Sequence, residues 1–344
     1  MNICICGGGN LGHVCAGFLA NRGHQVSILT TKPILWRKSL EIVAPDGNFI
    51  GKLATVTSEP REVIPQADII LICLPGYAIH EELEKIKPFL PIGSIVGTVV
   101  SSTGFFFEAF KVLPPDTPLF GFQRVPFISR TIEYGHRAEL KGYKETLSVV
   151  IEQTEAKEPI RLQIEQLFEK PVTLLDSYYE VSLSNSNPLL HPSRLYTMWK
   201  DWQPGITYLR NPQFYAEWTI EASALLIQMD EEFQNLLKVL GLKHGCIPTV
   251  LDYYESTDAE SLTYKLQSIK AFQGIYSPMK EVSGRFVPDF SSRYFTEDFP
   301  YGMRFIVETA HNHRVSIPII EEVYRWGMSK TASELSYLQL LQTQ

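Results

Sequence analysis

The pattern of apolar and polar residues at the start of the chain predicts a strand, a tight turn and a helix. Residues 3–6 are an apolar run, and apolar side chains then recur at helical spacing from Leu11 to Leu19. The turn at residues 7–12 reads Gly-Gly-Gly-Asn-Leu-Gly, and a second apolar run follows at residues 26–29. A glycine pattern between a strand and a helix, inside a unit of about thirty residues, is typical of dinucleotide binding.

The glycines of this turn have separate predicted tasks. Gly7 permits the tight turn, Gly9 lets the backbone approach a pyrophosphate, and Gly12 lets the helix pack closely on the strand. The N–H groups of the first helical turn would then bind the anion. The alternative is a glycine-rich turn without a ligand. The cofactor-binding residues predicted here are Gly7, Gly9, Asn10, Leu11 and Gly12.

Continuous apolar runs further along the chain predict a parallel sheet that is covered on both faces. The runs lie at residues 69–73, 95–100 and 119–122. Helices are predicted between them, over residues 77–89 and 105–113.

The loops after these strands are predicted to line a cleft, because ligands bind at the carboxyl ends of parallel strands. Leu74 and Pro75 follow one strand and are predicted to contact the cofactor. Gln123 and Arg124 follow another and are predicted to contact the substrate. His80 and the two glutamates after it are interpreted as a solvated helix face, and no metal site is predicted.

The pattern changes twice more along the chain. Residues 127–151 are short strand-like stretches divided by glycines, which predicts an antiparallel extension of the sheet. A helix at 159–168 and a strand at 172–175 follow. After Asp176 the strand-like runs give way to helices, the longest predicted over residues 212–240 and roughly 40 Å long.

The predicted fold class is therefore α/β followed by all-α. Residues 1–176 are predicted to form a Rossmann dinucleotide-binding domain with an antiparallel extension, and residues 177–344 an all-helical substrate domain. A hairpin turn at residues 45–48 is predicted as an insertion after the second strand. The 344 residues, 44% of them hydrophobic, are enough for two cores.

Charge and composition exclude some classes of partner. The net charge is −7, so there is no electrostatic case for a nucleic acid or an anionic membrane as partner. No apolar run approaches about 18 residues, and a core strand begins almost at Met1, so neither a membrane span nor a signal peptide is predicted. The five cysteines lie mostly in apolar runs, which predicts buried thiols and a cytoplasmic location.

The residues after the second strand predict the choice of cofactor. Folds that prefer NAD place a carboxylate there for the ribose 2′-hydroxyl, but this chain has Thr30, Thr31 and Lys32. Lys32 and Arg37 can meet a 2′-phosphate, and a threonine can donate its hydroxyl. We therefore expect NADPH to be preferred and NADH to be possible; the alternative is that both cations lie on a solvated loop.

Two segments of the helical half are difficult to explain by packing. Residues 184–192 read Ser-Asn-Ser-Asn-Pro-Leu-Leu-His-Pro and place small polar residues and His191 near the predicted domain boundary. Residues 293–302 read Arg-Tyr-Phe-Thr-Glu-Asp-Phe-Pro-Tyr-Gly and gather charges and aromatic rings. A lone histidine is usually structural, but two such segments behind a dinucleotide fold predict a site.

These segments resemble signatures of the octopine/nopaline (opine) dehydrogenase family, and the resemblance extends over essentially the whole chain. Residues 184–192 are similar to S-N-x-N-x-x-x-H-P, and residues 293–302 are similar to R-Y-x-x-E-D-x-P-Y-G. Residues 229–232, Met-Asp-Glu-Glu, also resemble the family. The resemblance implies a Rossmann domain, an all-helical domain like the C-terminal domain of 6-phosphogluconate dehydrogenase, and a substrate cleft between them.

The resemblance also implies roles for single residues. The histidine that matches His191 is the catalytic acid/base of the family, and the aspartate that matches Asp298 is its partner. Asn187 matches a residue of the same pocket. Residues 125–130 are only loosely similar to the family's L-P-Y-x-x-R segment.

The chemistry that this resemblance implies is the condensation of an amino acid with a 2-oxo acid and reduction of the imine by NAD(P)H. Both substrates carry carboxylates, which a guanidinium can bind through two parallel hydrogen bonds. The candidates are Arg124, Arg130 and Arg293, each of which can instead form a surface ion pair. The identities of the amino acid and the 2-oxo acid are left open, and a homodimer is possible.

Two other functions are left open by the sequence. A ketone or 2-oxo acid reductase of the ketopantoate reductase type has the same two-domain plan, and it would reduce a carbonyl with no amine present. A sensor that binds NADPH without turnover is the second alternative, although it would not need the segments around His191 and Asp298.

Overall fold

In the computed structural model, which describes residues 1–342 (side chains to 331), the chain divides into two units after Ser184. This division lies beyond the predicted boundary at Asp176. The helix Tyr178–Ser182 accounts for the difference, because its Val181 is fully buried in the core of the first unit.

The first unit alternates strands with helices. Its helices are α1 (Asn10–Asn21), α2 (Gly76–Ile86), α3 (Phe105–Val112), α4 (Lys157–Phe168) and α5 (Tyr178–Ser182). Its strands are β1 (Asn2–Cys6), β2 (Gln25–Leu29), β3 (Ser39–Val43), β4 (Phe49–Lys52), β5 (Thr55–Thr57), β6 (Ile69–Ile72), β7 (Ile95–Thr98), β8 (Leu119–Phe122), β9 (Phe127–Glu133), β10 (Arg137–Tyr143), β11 (Leu147–Glu152) and β12 (Val172–Leu174).

The main sheet of this unit has the strand order β12-β11-β8-β7-β6-β1-β2-β5. From β5 to β8 every pairing is parallel. This is the strand order of the Rossmann fold, so the predicted fold class of the first unit is confirmed. β11 runs antiparallel to β8 and extends the sheet on that side.

A second sheet, of order β4-β3-β10-β9, packs on helix α1. β3 and β4 are the predicted hairpin around residues 45–48. The predicted antiparallel extension over residues 127–151 is therefore corrected: only β11 joins the main sheet, because β10 pairs in parallel with β3. Two glycines allow the close packing, since a Cβ on Gly51 would lie 2.5 Å from the carbonyl oxygen of Gly17.

The second unit is mainly helical, but it contains a hairpin that the sequence did not predict, formed by β13 (Met279–Val282) and β14 (Arg285–Pro288). Within the described part of this unit the hairpin is the only sheet. Ser283 and Gly284 form its turn with positive φ at both residues, as tight hairpin turns require. The helices are α6 (Asn187–Trp199), α7 (Ile220–Val239), α8 (Val250–Tyr253), α9 (Ala259–Ser268), α10 (Arg293–Thr296), α11 (Arg304–Asn312) and α12 (Pro318–Gln342), with a π-helical turn at Phe299–Met303.

The helix that the sequence predicts over residues 212–240 begins later, at Ile220, and it is shorter than α12. α7 has 20 residues, roughly 30 Å, and the segment before it is irregular. Thr219 sets the start, because its hydroxyl accepts a hydrogen bond from the N–H of Ala222 as an N-cap. Within residues 1–342, neither α7 nor any other helix combines the length and apolar character needed to cross a membrane.

Two carboxylates of α7 cap later helices. Asp230 accepts a hydrogen bond from the N–H of Val250 at the start of α8, at 2.9 Å. Glu232 accepts hydrogen bonds from the N–H groups of Ile319 and Ile320 in the first turn of α12. Residues 229–232 therefore have a structural role, which follows from the unsatisfied N–H groups at helix starts.

Candidate active site

The glycine turn has the geometry that the sequence predicts. Gly7 has a φ of +116°, and a Cβ on it would lie 2.5 Å from the carbonyl oxygen of Cys73. A Cβ on Gly12 would collide with the carbonyl oxygen of Gly7. Beside Gly9 the space is open, with no atom within 4 Å of where its Cβ would stand. Gly9 is also the N-cap of α1 and offers no side chain, so this space fits a pyrophosphate next to the N–H groups of the helix.

Side chains of α1 fix the turn to the second sheet. The Asn10 side chain accepts a hydrogen bond from the N–H of Thr131 at 2.9 Å, so its predicted cofactor contact rests on its backbone. The His13 ring joins the carbonyl oxygen of Gly9, at 2.8 Å from Nδ1, to the N–H of Gly135, at 2.7 Å from Nε2. Because the N–H of Gly135 donates to Nε2, the ring carries its proton on Nδ1. Burial lowers the pKa of His13, which keeps the ring neutral.

A cavity opens beside the turn at the carboxyl ends of β1, β2 and β6. The predicted cofactor residues Thr30, Thr31, Lys32 and Leu74 line it, whereas Arg37 lies outside this lining. Five further lining residues were not predicted as cofactor contacts from the sequence: Gly8, Leu29, Glu82, Lys85 and Tyr134.

From the sequence, His80 and the two glutamates after it are interpreted as a solvated face of α2, and for Glu82 this interpretation is wrong. Its side chain is half-buried beside the cavity, and burial raises the pKa of its carboxyl group. The helical spacing of the sequence does indicate partial burial at this position, since Glu82 lies between Ile79 and Leu83 of the buried face. Lys85, one turn away, donates a hydrogen bond to the carbonyl oxygen of Ser58 at 2.9 Å. The cavity therefore combines cationic groups with one carboxylate.

In the second unit, His191 and Asp298, which the resemblance implies are partners, form a hydrogen bond. His191 lies in α6, and its Nδ1 is 2.7 Å from Asp298 Oδ2. The His191 Nε2 is 2.8 Å from the hydroxyl of Tyr215, a residue that the sequence analysis did not identify. The side chains of His191 and Asp298 are 12% and 15% exposed, so the pair is largely shielded from water.

Aromatic rings surround this histidine. Tyr294 meets the His191 ring edge-on at 4.6 Å between centroids, and Phe214 does so at 5.9 Å. Burial raises the pKa of Tyr215 and of Tyr294, so both hydroxyls keep their protons at neutral pH.

The two unusual segments pack directly against each other. Gly302, in the π-helical turn that follows Asp298, approaches Pro188 of α6 so closely that a Cβ on it would lie 2.6 Å from the Pro188 Cγ. Asn187 begins α6, and its N–H donates to the side-chain oxygen of Asn185 at 3.1 Å. The turn at residues 185–187 and the close packing of Gly302 on Pro188 thus bring His191 next to Asp298.

Known families match both units. Residues 174–331 match the family described as NAD/NADP octopine/nopaline dehydrogenase, alpha-helical domain, and residues 3–105 match ketopantoate reductase PanE/ApbA. An opine dehydrogenase of Haliotis discus hannai is 28% identical, over 97% of this chain and 91% of its own length. The octopine dehydrogenase of Pecten maximus is 25% identical over the same shares. Over nearly its whole length the chain is thus similar to opine and octopine dehydrogenases. The protein is an NAD(P)-dependent dehydrogenase.

Solved structures have the same fold as this dehydrogenase. An octopine dehydrogenase determined with NADH and L-arginine is 24% identical, with a TM-score of 0.83 over 96% of this chain and 89% of that one. A yersinopine dehydrogenase bound to NADP⁺ has a TM-score of 0.73 at 10% identity. At these identities the likeness concerns the fold alone.

The three arginines predicted to bind substrate in this dehydrogenase differ from one another in their hydrogen-bond partners. Arg293 binds Glu297 through two parallel hydrogen bonds of 2.8 Å and is 84% exposed, so it already forms a surface ion pair. Arg124 donates to the carbonyl oxygen of Ser184 at 3.0 Å, and Arg130 is exposed on β9.

The remaining predicted residues lie in the framework of the dehydrogenase. Leu11 packs partly buried against the core of the first unit, and Pro75 is the N-cap of α2. The Gln123 side chain donates to the carbonyl oxygen of Glu180 at 3.5 Å.

Proposed function

We propose that this protein catalyses the reductive condensation of the amino group of an amino acid with a 2-oxo acid. The observation that carries the proposal is the shielded His191–Asp298 hydrogen bond in a chain whose first unit has a dinucleotide-binding glycine turn. Relatives that are named opine, octopine or tauropine dehydrogenase support it. The tauropine dehydrogenase of Arabella iricolor is 28% identical over 96% of this chain.

His191 has the properties of the acid/base that this reaction needs. An amino acid arrives as an ammonium ion, which cannot attack a carbonyl until a base removes a proton, and a neutral imidazole suits this task near pH 7. Asp298 accepts the hydrogen bond of Nδ1–H, which fixes the tautomer and stabilises the imidazolium that forms. The histidine returns its proton when the carbinolamine loses water. Reduced nicotinamide supplies the hydride for the imine.

NADPH is the reductant that we propose as preferred, with NADH possible. Lys32 and Lys85 give the cavity beside the glycine turn positive charge, and Thr30 and Thr31 give it hydroxyl groups. Glu82 opposes this preference, but it is one carboxylate against the two lysines of the lining. The 2′-phosphate of NADPH would therefore meet a net cationic environment.

The contacts to the substrate carboxylates belong to the same proposal. Arg124 and Arg130 are exposed residues, and Arg124 donates to a backbone carbonyl, whereas Arg293 would have to exchange Glu297 for a substrate carboxylate. We also assign Asn187 to the substrate pocket, since it stands one helical turn before His191. The buried free thiols of the first unit support a reducing, cytoplasmic location. We also propose that the protein forms a homodimer.

A pairwise screen tests this function. Amino acids would be combined with pyruvate, glyoxylate and 2-oxoglutarate while NADPH loss is followed, and the product would be identified by mass. The expected result is oxidation that needs both substrates and gives a secondary amine. Oxidation by a 2-oxo acid alone would instead identify a reductase, to which the ketopantoate reductase match of residues 3–105 points. Tight NADPH binding without oxidation for any pair would identify a sensor.

A further inference from the structure

Tyr215 forms a hydrogen bond with Nε2 of His191, the ring nitrogen that Asp298 does not contact. The Asp298 carboxylate can only accept, so the Nδ1 of His191 carries the proton and Nε2 presents a lone pair. The Tyr215 hydroxyl, 2.8 Å from Nε2, therefore donates to that lone pair. Both ring nitrogens are engaged, and a proton that reaches Nε2 in this arrangement must come through the Tyr215 oxygen.

The Tyr215 ring is fixed by its neighbours. It stacks on Phe272 at 4.1 Å between centroids, and it lies parallel to Trp218 at 5.9 Å. Trp218 is itself fixed, because its indole N–H donates to the Ser223 hydroxyl at 3.0 Å. With 4% of its surface exposed, Tyr215 has little room for another rotamer.

A buried arginine joins the segment of Tyr215 to the helix of His191. Arg194 lies one turn after His191 and is 5% exposed. It donates to the carbonyl oxygen of Glu217 at 2.5 Å and to the hydroxyl of Thr219 at 3.2 Å. The donor hydroxyl and the accepting nitrogen therefore belong to one packed assembly.

We propose that Tyr215 relays protons between the substrate nitrogen and His191, an inference that rests on the proposed function. The ammonium N–H bond breaks as its proton moves to the Tyr215 oxygen, and the electron pair stays on the amine. The original hydroxyl proton of Tyr215 moves to Nε2, so tyrosine is neutral before and after and His191 becomes imidazolium. In the dehydration step Nε2–H returns a proton through the same oxygen to the departing hydroxyl, which leaves as water.

The surroundings of Tyr215 suit a neutral relay. The ionisable groups that face it are His191, Asp298, Tyr294 and Tyr254, and the charge of Asp298 opposes a phenolate. The hydroxyl can accept and donate at once, which a phenolate cannot.

Removal of the hydroxyl tests the relay, with Tyr196→Phe as the matched control. Tyr196 lies in the same helix as His191, and its hydroxyl donates to Glu322 at 2.5 Å, so the control also loses one phenol hydrogen bond. We expect Tyr215→Phe to fold, to keep KM for both substrates within about threefold, and to lose about 100-fold or more in kcat, as for other lost acid–base groups. The Tyr196→Phe control should keep wild-type kcat. A Tyr215→Phe protein with wild-type kcat would overturn the relay.

Fluorotyrosine at position 215 keeps the proposal testable if the phenylalanine variant does not fold. Fluorine atoms change the acidity of the phenol and add little volume, so kcat should change progressively with their number if the hydroxyl passes protons. An unchanged kcat across the series would show that Tyr215 only supports His191 and would overturn the relay. If the wild-type protein condenses no pair of substrates, the proposed function fails and the relay fails with it. If the wild type is active and both Tyr215 tests are negative, only the relay fails.

Discussion

At the scale of single residues, the His191 ring donates a hydrogen bond to Asp298 and accepts one from Tyr215. Of these two partners, Asp298 is the one with a carboxylate. General acid–base catalysis contributes roughly 10²–10⁴-fold, so His191→Ala should lower turnover by that factor. Cofactor affinity should stay nearly unchanged, because the glycine turn and its cavity belong to the first unit. Asp298→Asn should cost a comparable factor, and the double variant little more than either single one, since residues that act as a unit are not additive.

Steady-state kinetics and NADPH titration of the three variants check this prediction. His311→Ala is the matched control, because His311 pairs with Glu321 at 2.6 Å on the surface of the same unit. That variant should keep wild-type turnover. A soluble His191→Ala protein with near wild-type turnover would contradict the proposed role.

Lys32 carries the second prediction at this scale. A charge-assisted contact to the 2′-phosphate is worth on the order of 1.5–3 kcal/mol, or roughly ten- to a hundredfold in affinity. Lys32→Ala should therefore weaken NADPH by that factor and leave NADH almost unchanged, as measured by fluorescence titration of both. Lys38→Ala, an exposed lysine of the same loop outside the cavity lining, should leave both affinities unchanged. Equal wild-type affinities for the two cofactors, or an unchanged ratio in Lys32→Ala, would show that the preference is wrong.

The sequence could predict the partners of His191 only in part. Asp298 was found through the resemblance of residues 293–302, which lie far from His191 in the chain. Tyr215 lies in an irregular segment that apolar spacing presented as the beginning of a helix, so no periodic signal marked its hydroxyl. Arg293 had the right chemistry for a carboxylate, but its fourth neighbour along the chain, Glu297, supplies one at 2.8 Å. Local partners of this kind compete with a substrate, and the sequence does not reveal which one binds.

At the scale of elements, one neutral histidine joins α1 to the turn between β9 and β10. Burial lowers the pKa of His13 from its usual 6.5. Below pH 6.5 the unfolded chain therefore binds a proton that the folded protein does not bind until its lower pKa is reached. The free energy of unfolding should be highest above pH 6.5 and should fall as the pH is lowered, by about 1.4 kcal/mol per unit of pKa difference.

Urea unfolding of the wild type and His13→Gln between pH 7.5 and about 5 measures this contribution. The variant should be less stable at pH 7.5, since its new side chain does not reproduce both hydrogen bonds of the ring. The difference between the two proteins should shrink as the pH is lowered. Other groups, including His24 with its own lowered pKa, titrate in both proteins and cancel. Two parallel stability curves would contradict the assignment of a neutral buried ring.

At the scale of the whole molecule, the periodic elements were predictable and the pairings between distant segments were not. The continuous apolar runs of β6, β7 and β8 indicated a parallel sheet, because strands covered on both faces lack polar positions. By contrast, β3 and β10 pair although nearly a hundred residues separate them, and nothing in either strand alone specifies that partner. The hairpin of β13 and β14 was missed because its exposed strands carry little apolar alternation.

The position of the unit boundary can be tested with two fragments, residues 1–184 and residues 1–176. A unit of this size buries roughly 70% of the surface of its unfolded chain, so the longer fragment should fold and bind NADPH. The shorter fragment lacks α5 and therefore loses the burial of Val181, worth about 1.5–3 kcal/mol. It also loses the Glu180 carboxylate that accepts hydrogen bonds from the N–H groups of Asp176 and Ser177. Residues 1–176 should thus unfold at lower urea concentration than residues 1–184, and neither fragment should turn over substrate without His191. Equal unfolding midpoints for the two fragments would place the boundary at Asp176, as the sequence pattern alone predicts.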